Sequence, residues 1–100
     1  MPTIVPNVNS SDYDWHPVIS SDELTLYLAS YRTEGDAMGQ EDIWVSTRSS
    51  TEDFGPARNV RELNSSANDG LGWLSADRCV LYFLSDRDGY FRLYHATHGK

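Results

Sequence analysis

Hydrophobic residues occur along the chain in short runs, and clusters of Ser, Asp, Asn and Gly separate these runs. Short runs bounded by turn residues are typical of β-strands, and no stretch keeps its apolar residues at helical spacing. In the first half, the runs predict strands at about residues 16–20, 25–30, 42–48 and 57–63. The pattern therefore predicts an all-β fold.

The runs "TLYLAS" at residues 25–30 and "VLYFLS" at residues 80–85 are apolar at successive positions instead of alternating. A strand has this pattern when its sheet is covered on both faces. The segment "ARNVREL" at residues 57–63 is mixed and charged, as expected for an exposed edge strand. We therefore expect sheets stacked face to face, with polar edges.

The chain contains two copies of one pattern. An offset of 55 aligns Pro2–Arg32 with Ala57–Arg87, and 11 of the 31 aligned positions are identical. The first copy then has five extra residues, and the match resumes at an offset of 50, where "DIWVSTR" faces "RLYHATH". A repeated unit of four short antiparallel strands is typical of a propeller blade.

The repeat resembles the WD-like repeat of TolB-type β-propellers, P-x-x-S-x-D-G-x-x-L-Y-F-x-S-x-R followed by D-I/L-Y/W. The matching segments are "HPVISSDELTLYLASYR", "DIWVSTR" and "LSADRCVLYFLSDR". The turn glycine is replaced by Glu23 and Arg78, and the proline kept as Pro17 becomes Gly72 in the second copy. These replacements suggest a turn that differs from the usual one. The resemblance implies two four-stranded antiparallel propeller blades per chain, but it does not identify a ligand.

Two blades would leave large apolar faces in water, so we expect them to recruit further blades. The start of the chain, "TIVPNVNSS", aligns with "RNVRELNSS", the outer strand of a blade. We therefore predict a homotrimer forming a six-bladed propeller, in which this strand completes the last blade of a neighbour. Residues 1–100 would be one two-blade unit, divided into 2–56 and 57–100. A tetramer, or a fragment of a longer chain, is the alternative.

The net charge of −7 disfavours nucleic acid and anionic membranes as partners. No apolar run approaches the length of a membrane span, and the start lacks the features of a signal peptide. As given, the chain would be cytoplasmic, although similar propellers are often exported. The single cysteine, Cys79, excludes an intrachain disulfide and is expected to be a small buried hydrophobe.

Matched positions that differ between the copies are candidates for a site, because shared residues are explained by the blade. Tyr13, Trp15 and His16 face Asn68, Gly70 and Leu71, while Tyr31 faces Asp86. An exposed Trp beside polar groups can stack on a sugar or planar ligand. With Asp14, which is also predicted as a turn or strand-cap residue, these residues form the candidate ligand site. Packing is the alternative role.

No catalytic motif is present, and no cofactor is predicted. The loop with Glu34, Asp36, Glu41 and Asp42 lacks EF-hand spacing, so a solvated acidic loop is expected instead of a metal site. The sequence favours a non-catalytic module that binds a small molecule, glycan or protein segment. The alternative is a carbohydrate-active enzyme using Asp14, His16 and Glu34 or Asp36. A purely structural repeat unit without a ligand is a third hypothesis.

Overall fold

The computed structural model describes residues 4–33, 37–50, 53–75 and 80–97. Within these ranges the chain is all-β and contains no helix, so no membrane-spanning helix is found there. The seven strands are β1 (Asp14–Ile19), β2 (Thr25–Ser30), β3 (Asp42–Thr47), β4 (Arg58–Asn59), β5 (Asp69–Leu74), β6 (Val80–Ser85) and β7 (Arg92–Thr97).

The strands form two antiparallel sheets. The first sheet has the order β1-β2-β3-β4, and the second has the order β5-β6-β7. In the first sheet β2 and β3 pair along their whole length, from Thr25↔Thr47 to Ser30↔Asp42. The pair β6 and β7 repeats this register, from Val80↔Thr97 to Ser85↔Arg92. The duplicated sequence thus folds into duplicated strand pairing, and the predicted all-β class is confirmed.

The fourth strand is much shorter than predicted. The sequence pattern predicted a strand over residues 57–63, but β4 contains only Arg58 and Asn59. After these residues the backbone turns, because the amides of Leu63 and Asn64 both donate to the Val60 carbonyl, at 3.0 and 3.1 Å. The mixed and charged sequence of this segment therefore belongs mainly to a turn and not to a long edge strand.

The start of the chain has the same local structure. Residues 6–8 form a turn, as do the matched residues 61–63. The predicted N-terminal strand falls on residues 2–8, of which 2 and 3 lie outside the described residues and the others form no strand.

Asp22 holds the β1–β2 turn. Its carboxylate accepts hydrogen bonds from the Leu24 amide at 3.0 Å and from the Ser20 hydroxyl at 2.6 Å. Glu23 has a φ of 62°, the left-handed conformation that glycine adopts most readily. The turn therefore keeps a glycine-type backbone without a glycine. The matched Asp77 lies outside the described residues.

The main core lies between the two sheets. Ile43, Val45 and Val60 of the first sheet unit pack with Leu71 and Phe83 of the second sheet. The other face of the first sheet forms a second cluster, made by Val8, Leu28, Trp44 and Phe54.

The first sheet is thus covered on both faces, as the run "TLYLAS" predicted. The second sheet is covered on one face, because Leu84 of β6 remains 38% exposed.

Candidate functional site

Four of the predicted site residues form an aromatic cluster at the start of β1. The Trp15 ring stacks on the neighbouring His16 ring, with a centroid distance of 4.3 Å and an interplanar angle of 9°. Tyr31, just after β2, lies 6.3 Å from Trp15 and 6.3 Å from Tyr13 between ring centroids. Tyr13 is 80% exposed and Trp15 is 45% exposed. We call Tyr13, Trp15, His16 and Tyr31 the aromatic cluster.

The backbone that carries the cluster is irregular. A β-bulge interrupts the β1–β2 register between Trp15 and Val18. Within it His16 has a φ of 50°, a conformation that costs a non-glycine residue roughly 1–2 kcal/mol. The bulge therefore turns the His16 ring parallel to Trp15. A matched bulge lies between Leu71 and Trp73 in the second sheet, so the bulge belongs to the repeated fold, and the positive φ is particular to His16.

Asp14 lies next to the cluster, but its carboxylate is occupied by contacts within the fold. It accepts hydrogen bonds from the Ser30 hydroxyl at 2.6 Å, the Ser10 amide at 2.8 Å and Nη2 of Arg32 at 2.9 Å. Nη2 of Arg32 also donates to the Val8 carbonyl at 2.7 Å. This network ties the N-terminal segment to β1 and β2, so Asp14 supports the base of the cluster. Direct contact of Asp14 with a ligand stays a prediction.

The network also sets the acidity of Asp14. Burial raises the pKa of the Asp14 carboxyl, but hydrogen bonds from Ser30, Ser10 and Arg32 outweigh that effect. The net pKa is therefore lowered from its ordinary value of 3.8.

The second copy repeats the network. The Asp69 carboxylate accepts hydrogen bonds from the Ser85 hydroxyl at 2.6 Å, the Ser65 amide at 2.8 Å and Nη2 of Arg87 at 3.1 Å. Nη2 of Arg87 also donates to the Leu63 carbonyl at 2.6 Å. Residues shared by both copies thus make the same contacts, as expected for blade scaffold. Each arginine binds its own sheet and the segment that precedes that sheet.

Glu41 is a neighbour of the cluster that the sequence analysis did not select. It is 5% exposed, and burial raises the pKa of its carboxyl above the ordinary value of 4.5. Hydrogen bonding from the Trp15 side chain and the electrostatic effect of His16 lower this pKa, whereas nearby Asp69 and Asp86 raise it. Comparison of the two copies could have identified Glu41. At the offset of 50 it aligns with Phe91, so the copies differ at this position.

The prediction of a solvated acidic loop is wrong for Glu41 and Asp42, which are both buried. Asp42 begins β3, and its carboxylate accepts hydrogen bonds from the Met38 amide at 2.6 Å and the Gly39 amide at 3.1 Å. These bonds hold the end of the loop onto the strand. Glu34 and Asp36 lie outside the described residues, and within the described ranges no group of three metal-ligating residues occurs.

A cavity of about 130 Å³ lies between the two sheets, away from the aromatic cluster. Its lining includes the core residues Val45, Val60 and Leu81, together with Arg58 and Glu62. It contains none of the predicted site residues. The exposed aromatic cluster, and not this gap in the core, is therefore the candidate site.

No protein-family model, curated protein or solved structure matches this chain.

Proposed function

We propose that the chain is a non-catalytic binding module whose aromatic cluster binds a sugar ring or a planar ligand by stacking. The supporting observation is the convergence of Tyr13, Trp15, His16 and Tyr31, with Trp15 stacked on His16 at 4.3 Å. An aromatic face stabilises the apolar face of a sugar, while the imidazole and the two phenol groups can hydrogen-bond its hydroxyls.

The binding unit is proposed to be a ring of propeller blades. Each sheet would be one blade, as in the TolB-type propellers that the sequence resembles, and three copies would supply six blades. A tetramer with eight blades is the alternative. In either ring the aromatic cluster would occur once per chain, so a ligand with several sugar units could contact more than one cluster.

A glycan array followed by isothermal titration calorimetry tests this function. Trp15→Ala should abolish binding, whereas Trp15→Phe should keep a weaker affinity because it preserves a stacking surface. Asp53→Ala is the control, because Asp53 is exposed in the loop after β3, at the other end of the sheet. Equal binding by the parent chain and Trp15→Ala would contradict the proposal.

One observation favours the alternative of a carbohydrate-active enzyme. Glu41 is buried beside Trp15 and His16 with a raised pKa, and a carboxyl whose pKa is raised by burial is suited to act as a general acid. A panel of chromogenic glycosides separates the two functions. Turnover that is lost in Glu41→Gln or His16→Ala would support the enzyme and contradict a non-catalytic module, whereas the absence of turnover alongside glycan binding would support the module.

A further inference from the structure

Large exposed apolar residues are concentrated on two surfaces of the molecule. One surface comprises the edge and outer face of the second sheet, where Trp73 is 58%, Phe91 59% and Leu93 67% exposed. We call it the β7 surface. The other comprises the N-terminal segment, where Ile4 is 79% and Val5 44% exposed. We call residues 4–9 the N-terminal segment.

The first sheet shows how such an edge is covered within one chain. Its strand β3 pairs with β4, with Trp44 opposite Asn59 and Val45 opposite Arg58. The chain then continues along β3, because the Val60 amide donates to the Ile43 carbonyl at 3.0 Å. Strand β3 is buried at every position except its last.

Asn64 completes this edge. Its side-chain oxygen accepts from the Ile43 amide at 2.8 Å, and its side-chain nitrogen donates to the Ile43 carbonyl at 2.8 Å. Asn64 is 8% exposed and Ile43 is fully buried. One asparagine thus satisfies both backbone groups of one residue on β3.

The residues matched to this contact lie on β7 and in the N-terminal segment. They have suitable side chains for the same contact, but they do not make it within one chain. By the offset of 50, Leu93 of β7 corresponds to Ile43; by the offset of 55, Val5 and Asn9 correspond to Val60 and Asn64. Yet Leu93 is 67% exposed where Ile43 is fully buried, and Val5 is 44% exposed where Val60 is 6% exposed. Asn9 is exposed, and its side-chain nitrogen donates to the nearby Val5 carbonyl at 3.2 Å.

We propose that the N-terminal segment of a second copy of this chain covers the β7 surface. Ile4 of the second protein molecule lies opposite Tyr94 of the first, and the Val5 amide of the second molecule donates to the Leu93 carbonyl of the first. The side-chain amide of Asn9 of the second molecule bridges the backbone amide and carbonyl of Leu93. This inference specifies the contact on which the ring of the proposed function rests.

One residue pair in the proposed contact differs from the corresponding pair within the first sheet. In the first sheet the Asn59 side chain donates to the Asp42 carboxylate at 3.2 Å. The matched residues are Ile4 and Arg92, so an apolar side chain lies beside the aliphatic part of an arginine. The contact between copies therefore depends more on apolar burial at this position than the internal contact does.

The contact joins different surfaces on the two copies, so it is heterologous and leads to a closed ring or an open filament. The first sheet offers a further exposed apolar residue for the same contact. Ile19 is 47% exposed, whereas the matched Leu74, which packs between the sheets, is 8% exposed. The same chain thus carries both partners of the interface.

Disulfide trapping tests the register directly. In a Cys79→Ala background, the single variants Ile4→Cys and Tyr94→Cys are mixed and oxidised. Directly opposite residues of antiparallel strands have Cα atoms about 4.5–5.5 Å apart, within the range of a disulfide. We expect a covalent dimer in the mixture and in neither variant alone.

The control pairs Ile4→Cys with His95→Cys, because a one-residue shift directs the side chain to the other face of the sheet. Little cross-linking is expected for this pair. Equal yields from Tyr94→Cys and His95→Cys, or no covalent dimer in either mixture, would overturn the proposed register.

Removal of the asparagine bridge provides an independent test. Asn9→Ala should weaken association at least about ten-fold and leave the unfolding midpoint of the monomer unchanged, because the bridge forms only between copies. The matched Asn64→Ala should lower the unfolding midpoint itself. Association that is unaffected by Asn9→Ala would contradict the proposal. Both tests are made without ligand, so their failure is distinguishable from a failure of binding at the aromatic cluster.

Discussion

At the scale of single residues, the two copies act as controls for each other. The residues shared by both, such as Asp14 and Asp69, make the same hydrogen bonds, so sequence identity predicted scaffold. The comparison also selected all four members of the aromatic cluster, because Tyr13, Trp15, His16 and Tyr31 differ from their counterparts. The sequence analysis did not select Glu41, because its burial depends on the positions of β1 and β5. The local sequence pattern does not show those positions.

The β1–β2 turn provides the first residue-scale prediction. Glu23 has a φ of 62°, so Glu23→Gly should relieve strain and raise the free energy of unfolding by roughly 0.5–1 kcal/mol. Glu62 also lies in a turn, but its φ is not positive, so the control Glu62→Gly should be destabilising. Urea unfolding of both variants checks the sign. Destabilisation by Glu23→Gly would contradict the account of the turn.

The Asp14 network predicts a dependence on pH. Because the folded pKa of Asp14 is lowered from 3.8, its stabilising contribution is present above that pH and is lost as the pH falls through the folded pKa. Asp14→Asn should lower the free energy of unfolding at pH 7 by about 3 kcal/mol, because it removes the carboxylate that pairs with the buried Arg32 guanidinium.

Asp14→Asn should also make the free energy of unfolding fall less steeply as the pH is lowered from 7 to 2, as measured by urea unfolding. Asp12→Asn is the control, since Asp12 is exposed and lies in the same segment. Equal effects of the two substitutions would show that Asp14 contributes no more than surface charge.

At the scale of strands and sheets, the hydrophobic runs predicted β2, β3 and their counterparts closely. The segment 57–63 was different, because its apolar residues Val60 and Leu63 are three positions apart, and the backbone turns between them so that Val60 packs in the core and Leu63 packs against it. In a regular strand, residues three apart point to opposite faces. The mixed and charged composition predicted an edge strand, but composition alone does not separate a strand from a turn.

The contact between the two sheets provides the element-scale prediction. A Cβ on Gly39, in the β2–β3 loop, would overlap the Ala67 carbonyl oxygen in the loop before β5. Gly39→Ala should therefore push the two loops apart and destabilise the fold by about 2 kcal/mol. Gly55→Ala is the control, since its nearest contact is an ordinary 3.7 Å. Thermal unfolding that does not distinguish the two variants would contradict this account of the sheet packing.

At the scale of the whole molecule, the difference between the two sheets is the central feature. Among the described residues, the first sheet has four strands and two covered faces, whereas the second has three strands and leaves Leu84 and Leu93 exposed. The sequence repeat predicted two similar units. The repeat could not show that the two sheets are buried to different extents, because burial depends on which segments of the fold pack against each sheet.

Native mass spectrometry over a range of protein concentrations tests the central claim most directly. If the β7 surface of each copy binds the N-terminal segment of the next, the mass should rise with concentration to about three times 11.3 kDa. Asn9→Ala should shift that rise to higher concentration. A folded chain with a mass of 11.3 kDa at every concentration would contradict the account.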